Sequence, residues 1–293
     1  MKNFYTLAQL TFREALSKKI FLFFFSVSTF VIVVFALLFA FISGDSFSGG
    51  FVSGQTTTFD NTIANGIKMF LIYPLYAGGL FISIFSVAGF IPSLLEKGNI
   101  DLILSKPVSR PQVILGKFFG GTAMVFTNLF YAIFMLWLLI GLKFNVWEMN
   151  FLFASASITL AFASIYSLII LIGIVTRSTM FSLVISYLIF FVFSPLLSSR
   201  ETIFAFINNG LIKNIFELLY YLVPQTSDLS TITTSLAVGN SIENPATILT
   251  SILYIILILY VSIFIFNKKD YWIHIIKLNL IILSIHTRES SLK

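Results

Sequence analysis

Cysteine is absent from this 293-residue chain, and charged residues are scarce. Without cysteine there can be no disulfide framework, thiolate metal site or cysteine nucleophile. Charged residues make up only 10% of the sequence, whereas soluble domains carry about a quarter, because their surface faces water. The hydrophobic fraction is 58% and the mean hydropathy is +0.98. So few charges cannot cover a globule of this size, so its outer surface must face lipid.

The sequence also lacks the groups on which most catalytic and energy-coupling sites depend. It contains no G-x-x-x-x-G-K-[ST] phosphate loop, so it does not bind ATP by that route. Its only histidines, His274 and His286, lie close to its C-terminus, which excludes an HExxH site or a histidine-based metal site. We therefore predict no catalytic, cofactor-binding or metal-binding residues in this chain.

Six stretches are long and apolar enough, or nearly so, to cross a bilayer as helices of roughly 20 residues. They cover residues 20–43, 69–95, 118–142, 151–175, 180–197 and 248–266. The first is too long for the apolar part of a signal peptide, and no small-residue cleavage site follows it. We predict an all-α integral membrane protein with six transmembrane helices. Residues 1–270 form one transmembrane domain in this scheme, and residues 271–293 form a cytoplasmic tail.

The basic residues set the orientation of the predicted spans. With the N-terminus inside, all but four of the 18 basic residues fall in cytoplasmic segments. The four on the outer side are Lys68, Lys143, Arg200 and Lys213. Because lysine and arginine favour cytoplasmic loops, we predict that both termini lie in the cytoplasm. The positive charge is spread over short loops beside the membrane, which argues against a nucleic-acid partner.

Two segments that flank the spans are predicted to form helices at the membrane surface. Asn3–Lys19 has a polar stripe opposite an apolar face, so Arg13, Glu14 and Lys18 belong to an interfacial helix. This helix can be a simple anchor or take part in a mechanical movement, and both interpretations remain open. In the tail, Trp272–Ile285 is too short to cross the bilayer and is predicted to form another interfacial helix.

The two longest outer segments differ in character. Residues 44–66 are rich in Gly, Ser and Thr and are predicted to be a flexible loop. In residues 198–245, Ile203–Val223 is apolar but interrupted by polar residues, so we predict a re-entrant or surface-lying helical hairpin. A turn at Pro224–Asp228 follows, with Ser227 as the cap of the next helix.

The segment Glu96–Lys117, between the second and third spans, is predicted to form a helix, a stop and a second helix. Pro107 ends the first helix, because the residue before a proline disfavours the α conformation. Ser109 and Gln112 then have the spacing of a capping box. Such a rigid cytoplasmic elbow can serve as a mechanical handle, and it can equally be an ordinary capped loop.

Small residues within the spans indicate where helices approach one another. Gly116 and Gly120 lie four residues apart at the start of the third span and can admit a close neighbour. Ser157, Ala161 and Ser164 form a small-residue stripe on the fourth span. Such stripes are more typical of helix packing than of a substrate path.

The elbow also carries a likeness to a known family. The residues concerned are Glu96, Gly98, Leu104, Ser105, Pro107, Val108, Ser109, Arg110, Gly116 and Lys117. This pattern resembles the signature region of permease subunits in ABC-2 type exporters. The stretches FREALSKKIF before the first span and VPQTSDL before the last are similar to that family too. The resemblance covers roughly the first 270 residues. Within the family, the sequence resembles most the subgroup linked to copper-enzyme maturation.

The resemblance implies a permease subunit of an ATP-driven exporter that forms the translocation pathway with a second permease chain. ATP and magnesium would be held by a separate ATPase, and this chain would hold no cofactor. The implied ATPase-docking residues are Glu96, Gly98, Asp101, Ser105, Pro107, Ser109, Arg110 and Lys117. The expected location is the inner (plasma) membrane, surrounded by the lipid bilayer.

The residues leave a second function open, namely a polytopic scaffold or channel that gathers partners without an ATPase. An intramembrane enzyme or a secondary carrier fits less well, since no charged residue lies near the middle of a predicted span. The missing internal energy source favours the ATP-driven exporter. A nucleotide-dependent change would distinguish the exporter from the scaffold.

Overall fold

The computed structural model of the protein describes residues 20–41, 56–94, 109–206, 210–242 and 244–290. Within these ranges the backbone forms eleven α-helices and one short π-helix. The α-helices are α1 Ile20–Phe41, α2 Thr56–Val87, α3 Phe90–Leu94, α4 Arg110–Phe144, α5 Asn150–Thr176, α6 Thr179–Leu188, α7 Ser194–Ser198, α8 Arg200–Phe206, α9 Gly210–Leu222, α10 Thr226–Val238 and α11 Ala246–Ser290, with the π-helix at Ile189–Phe193. The predicted N-terminal interfacial helix lies outside the described residues.

Five of the apolar stretches are long enough to cross a membrane within the described residues. They are Asn65–Val87, Arg110–Phe144, Asn150–Thr176, Thr179–Ser198 and Ala246–Lys268. In α1 the apolar stretch Leu22–Leu38 is shorter than any of these five. A multi-pass, all-helical membrane protein is therefore supported, whereas the number of six spans stays a prediction.

Helix α5 lies at the centre of the bundle, and α4, α10 and α11 all pack against it. In the most apolar 18-residue stretch of α5, 72% is buried inside the bundle. The corresponding share is 28% for the span formed by α6, the π-helix and α7. Ser157, Ala161 and Ser164 are all buried, and the Ser157 hydroxyl donates to the Leu229 carbonyl of α10 (3.3 Å). The predicted small-residue stripe is thus a packing face, because short side chains let neighbouring backbones come close.

Helices α4 and α5 are in close contact at Gly121, next to the predicted Gly116–Gly120 pair. A Cβ atom at Gly121 would lie 2.7 Å from Cε1 of Tyr166. The ring therefore occupies the space that any other residue would fill with its side chain. Gly116 and Gly120 are buried as well, which agrees with the prediction that this part of α4 has a close neighbour.

The second and fifth predicted spans are not single regular α-helices with the predicted limits. Helix α2 begins at Thr56 and not at Met69, so its first turns lie in the segment that we predicted as a flexible loop. It ends at Val87, and Phe90–Leu94 forms the separate helix α3. The fifth span contains a π-helix, in which the N–H of Ser194 donates to the carbonyl of Ile189. Pro195 follows at once, and the missing proline N–H disrupts the regular α-helical pattern there.

The outer segment and the tail also differ in detail from the sequence-based expectation. Helices α8 and α9 correspond to the predicted helical hairpin. The cap assigned to Ser227 is wrong, because α10 begins at Thr226 and Gln225 occupies the N-cap position. Helix α11 runs without a break through Asp270 to Ser290, so the predicted tail helix continues the last span.

Candidate functional site

The described part of the elbow is the start of α4, which opens with the predicted capping box. The backbone N–H of Ser109 donates to Oε1 of Gln112 (3.1 Å), and Pro111 occupies the first turn. The Arg110 guanidinium lies 5.8 Å from the ring centroid of Phe266 on α11. The cap is confirmed, and it fixes the end of α4 beside the last span.

Lys117 lies two turns further along α4 and is not a surface residue. Its side chain is only 8% exposed, with Nζ 5.6 Å from the ring centroid of Phe90 on α3. Its carbonyl accepts a hydrogen bond from the Tyr166 hydroxyl of α5 (3.1 Å). Lys117 therefore sits where α3, α4 and α5 meet, and little of it is left for contact with a partner protein.

The other sequence-predicted docking and interfacial residues lie outside the described residues. They are Glu96, Gly98, Asp101, Ser105 and Pro107 of the elbow, and Arg13, Glu14 and Lys18 of the N-terminal helix. The structure brings together Ser109, Arg110 and Lys117 on the first turns of α4. For the remaining positions the docking role stays a prediction.

At the opposite end of the bundle, Asp228 of α10 is the centre of a polar cluster that joins α10 to α7 and α9. Its two carboxylate oxygens accept hydrogen bonds from the hydroxyls of Ser198 on α7 and Tyr220 on α9. The Arg200 guanidinium lies 3.5 Å from the ring centroid of Tyr220. Burial, together with the hydrogen bond to Asp228, raises the pKa of Tyr220 above its ordinary value. The hydroxyl therefore stays protonated and donates to the carboxylate.

The start of α10 is tied to two spans by further hydrogen bonds. The Ser194 hydroxyl oxygen accepts from the Thr226 hydroxyl (2.8 Å) and from the Ser227 backbone N–H (3.0 Å). The Tyr76 hydroxyl of α2 donates to the Thr226 carbonyl. The VPQTSDL stretch is thus the junction at which α2, α7 and α10 meet. From its residues this stretch was predicted as a turn with a helix cap, and it also carried part of the family resemblance, but neither indicated the contacts with α2 and α7.

A buried ion pair lies at the same end of the bundle and was missed from the sequence. Lys68 of α2 is 2% exposed, and its Nζ lies 2.6 Å from Oε2 of Glu148, whose side chain is 33% exposed. The Trp137 indole N–H donates to the Glu148 carbonyl (3.0 Å). Gly239 packs against the Glu148 carboxylate. Its φ is +80°, and a Cβ there would lie 3.1 Å from Oε2 of Glu148. Glycine satisfies both constraints, since it has no Cβ.

Helix α1 is attached to α4 by polar contacts between the spans. The Ser28 hydroxyl donates to Oδ1 of Asn128 (2.7 Å), and Asn128 is fully buried. The hydroxyls of Thr29 and Tyr131 lie 3.3 Å apart, and the Tyr131 ring stacks on Phe25. In an apolar environment such contacts define which faces of two helices meet.

A comparison with protein-family models matches residues 5–271 to the ABC-2 family transporter proteins. The chain belongs to the ABC-2 transporter family. The comparison with curated proteins found no match. Because the family model covers nearly the whole chain, the elbow, the Asp228 cluster and the Lys68–Glu148 pair are all parts of the ABC-2 membrane domain.

ABC-2 membrane domains are transport subunits and are not themselves catalytic. Among the described side chains, no three His, Cys, Asp or Glu residues are grouped in a way that could hold a metal ion. The charged groups that are buried serve to join helices. The polar contacts among the described residues therefore join neighbouring helices of the bundle.

Proposed function

We propose that this chain is the permease subunit of an ATP-driven exporter and that a separate ATPase moves it through the segment Glu96–Lys117. ATP and magnesium would bind to the ATPase, and this chain would carry no cofactor. The observation that carries the proposal is the construction of α4, which starts inside that segment with a capping box and continues into the bundle. Family membership supports it, since ABC-2 domains work with ATPase subunits.

Helix α4 has the properties of a lever. It runs for 35 residues from Arg110 to Phe144, which is about 52 Å at 1.5 Å per residue. The hydrogen bond from Tyr166 to the Lys117 carbonyl braces it against α5. A displacement at the capped end is thus passed to the spans and not absorbed by a soft loop. In this arrangement Arg110 makes the direct contact with the ATPase, and buried Lys117 is a positioning residue.

We infer further that two permease chains assemble, with the pathway between the faces of α1, α2 and the α6–α7 span. The α6–α7 span has the smallest buried share among the five long apolar helices, so a second chain has a large surface to cover. The basic residues favour an inner (plasma) membrane protein with both termini in the cytoplasm. The proposed relation to the copper-enzyme-maturation subgroup rests on the sequence pattern of the elbow.

Co-purification of the ATPase tests the coupling. The partner is expected among neighbouring reading frames as a protein with a phosphate loop. Arg110→Glu and Gly98→Leu should reduce ATPase association or uncouple its hydrolysis, while membrane insertion is unchanged because both positions lie outside the spans predicted from the sequence, 69–95 and 118–142. Lys143→Glu, the same kind of change at the other end of α4, is the control. Full association and coupling in both elbow variants would refute the docking role.

Native mass spectrometry with the ATPase present tests the assembly. We expect two permease chains per complex and a change in crosslinking between α6–α7 spans when nucleotide is added. A single permease copy with full transport activity would contradict the dimer. An assembly that never responds to nucleotide would favour the scaffold or channel instead.

A further inference from the structure

A pocket with polar walls lies at the outer end of the bundle, and the proposed function does not use it. It is bounded by the first turn of α8, one face of α10 and the start of α11. Its volume is about 240 Å³, which is space for about eight water molecules at ~30 Å³ each. Of its ten lining residues, all but Ile232 carry a polar group in the side chain. Such a lining suits a small polar solute and not an acyl chain.

The pocket brings charges of both signs together. Arg200 and Glu201 line it from α8, and Asp228 lines it from α10. None of these three residues forms an ion pair with another described residue. All three charges are therefore available to a ligand in the pocket.

Tyr220 separates the cation from the carboxylate on α10. Its hydroxyl donates to Asp228, while its ring faces the Arg200 guanidinium, which lies 3.5 Å from the ring centroid. Tyr220 is buried and lines the same pocket. The two opposite charges thus lie beside one pocket without meeting. A ligand that carries both a positive and a negative group can bridge this spacing.

Asp228 retains hydrogen-bonding capacity for such a ligand. The two oxygens of a carboxylate offer about four acceptor sites, and the hydroxyls of Ser198 and Tyr220 take one site on each oxygen. Both donors are neutral, so they do not cancel the negative charge. The Thr231 hydroxyl donates to the Asp228 carbonyl (2.7 Å), which leaves the Thr231 oxygen as a further acceptor. These oxygens suit an ammonium group, which has three donors.

Arg200 retains hydrogen-bonding capacity as well. A guanidinium carries five N–H donors in its plane, whereas the contact with the Tyr220 ring uses its face. In-plane donors are the ones that hold a carboxylate through two parallel hydrogen bonds. Asn244 and Ser235 also line the pocket and add an amide and a hydroxyl donor.

We propose that this pocket binds a small zwitterion of the amino-acid type, with its ammonium group at Asp228 and its carboxylate at Arg200. A simple anion would meet the carboxylates of Asp228 and Glu201, and a simple cation would meet Arg200. An uncharged polyol would leave all three charges without a partner. A ligand with both charges satisfies both walls, and the mismatched charge rejects the others. The binding needs no ATPase.

The test is binding of amino acids to the purified full chain in detergent, without ATPase, by isothermal titration calorimetry and thermal unfolding. Glycine, L-alanine and L-threonine are the probes, since they share the zwitterion and differ in side-chain size. At least one of them should bind and raise the unfolding temperature.

Each probe has a matched amine and a matched carboxylic acid that lack one of the two charges. They are methylamine and acetate for glycine, ethylamine and propionate for L-alanine, and 1-amino-2-propanol and 3-hydroxybutyrate for L-threonine. Both matched compounds should bind at least about tenfold more weakly than the amino acid, because each has lost one charged contact.

Two variants separate the halves of the site. Arg200→Gln should weaken binding of the amino acid about tenfold and leave binding of the matched amine unchanged or improved. Asp228→Asn should weaken the amino acid to a similar extent and leave the matched carboxylic acid unchanged or improved. Lys213→Gln and Glu217→Gln remove the same charges on α9, outside the pocket lining, and should bind like wild type. If Asp228→Asn does not fold, Ser235→Leu, which narrows the pocket from α10, replaces it and should abolish binding.

Four results would overturn the proposal. One is that none of the three amino acids binds. Equal binding of an amino acid and its matched amine would make this a cation site, and binding of glycerol alone would make it a polyol site. Unchanged binding in both folded charge variants of the pocket would place the ligand elsewhere. Because no ATPase is present, every outcome is independent of docking at the elbow.

Discussion

The two ends of the helical bundle are held together in different ways. Where α4 begins, Arg110 and Lys117 lie over aromatic rings, contacts that contribute about 0.5–1 kcal/mol when exposed and about 2 when desolvated. At the opposite end, Lys68 pairs with Glu148 and Asp228 accepts two hydrogen bonds. Breaking one partner of a buried ion pair costs about 3–5 kcal/mol. The difference is one of chemistry: cation–ring contacts where α4 begins, and charge pairing with carboxylate hydrogen bonds at the opposite end.

Glu148→Gln should give the largest loss of stability, because it leaves the Lys68 cation buried without a carboxylate. We expect about 3 kcal/mol, at the low end of the range for buried pairs since Glu148 is one-third exposed. Thermal unfolding in detergent measures it. Glu217→Gln, the same change at an exposed position, should stay within about 0.5 kcal/mol. Equal unfolding temperatures for the two variants would remove the main contrast between the ends.

Gly121→Ala should be the most damaging small change near the elbow. The added Cβ would lie 2.7 Å from the Tyr166 ring, and overpacking of this kind costs about 1–3 kcal/mol. Gly78→Ala is the matched control, because a Cβ there meets nothing within 4 Å. Its expected effect is neutral or slightly stabilising, as alanine favours helix. If both variants unfold alike, the α4–α5 contact is looser than the structure has it.

Asp228→Ala should loosen the outer helices, because it removes the acceptor of two hydroxyl groups. We expect a loss of about 2 kcal/mol, in the range for hydrogen bonds to a charged group. Ser198→Ala removes one donor only and should cost about half as much. Limited proteolysis of the segment from α8 to α10 provides a local measurement beside thermal unfolding. Unaltered cleavage in Asp228→Ala would show that the cluster does not hold these helices.

Alkaline pH should weaken the same cluster through Tyr220. Its folded-state pKa is raised above the ordinary value of 10.0, so its contribution is complete below pH 10 and declines as the pH rises further, when the unfolded tyrosine ionises first. The unfolding temperature of wild type should therefore fall more steeply above pH 10 than that of Tyr220→Phe. Parallel curves for the two proteins would contradict this linkage.

Ser109→Ala should have the smallest effect on stability. Alanine keeps the Ser109 N–H that donates to Gln112, so the loss should not exceed about 1 kcal/mol, the usual cost of removing an N-cap side chain; Ser109 is also exposed. Ser241→Ala changes an exposed serine between α10 and α11 and should leave the unfolding temperature unchanged. The informative readout is ATPase association, which should decline in Ser109→Ala and not in the outer-end variants. Reduced association in Glu148→Gln with the elbow intact would show that the two ends are not separable.

Much of the local structure could be predicted because it depends on near neighbours in sequence. The capping box at Ser109 follows from two residues three apart, and the packing role of Ser157, Ala161 and Ser164 follows from helical periodicity. The cap at Ser227 failed for a tertiary reason. The N–H of Ser227 donates to Ser194, which is 33 residues away in the sequence.

The sequence by itself determined that the chain is a helical membrane protein, because composition and run length fix the solvent that each segment can face. It also determined where α4 begins. Only the tertiary structure decided that Lys68 meets Glu148, that Tyr166 fills the space above Gly121, and that Asp228 joins three outer helices. These contacts depend on how separate helices are placed and rotated, which short-range patterns do not specify.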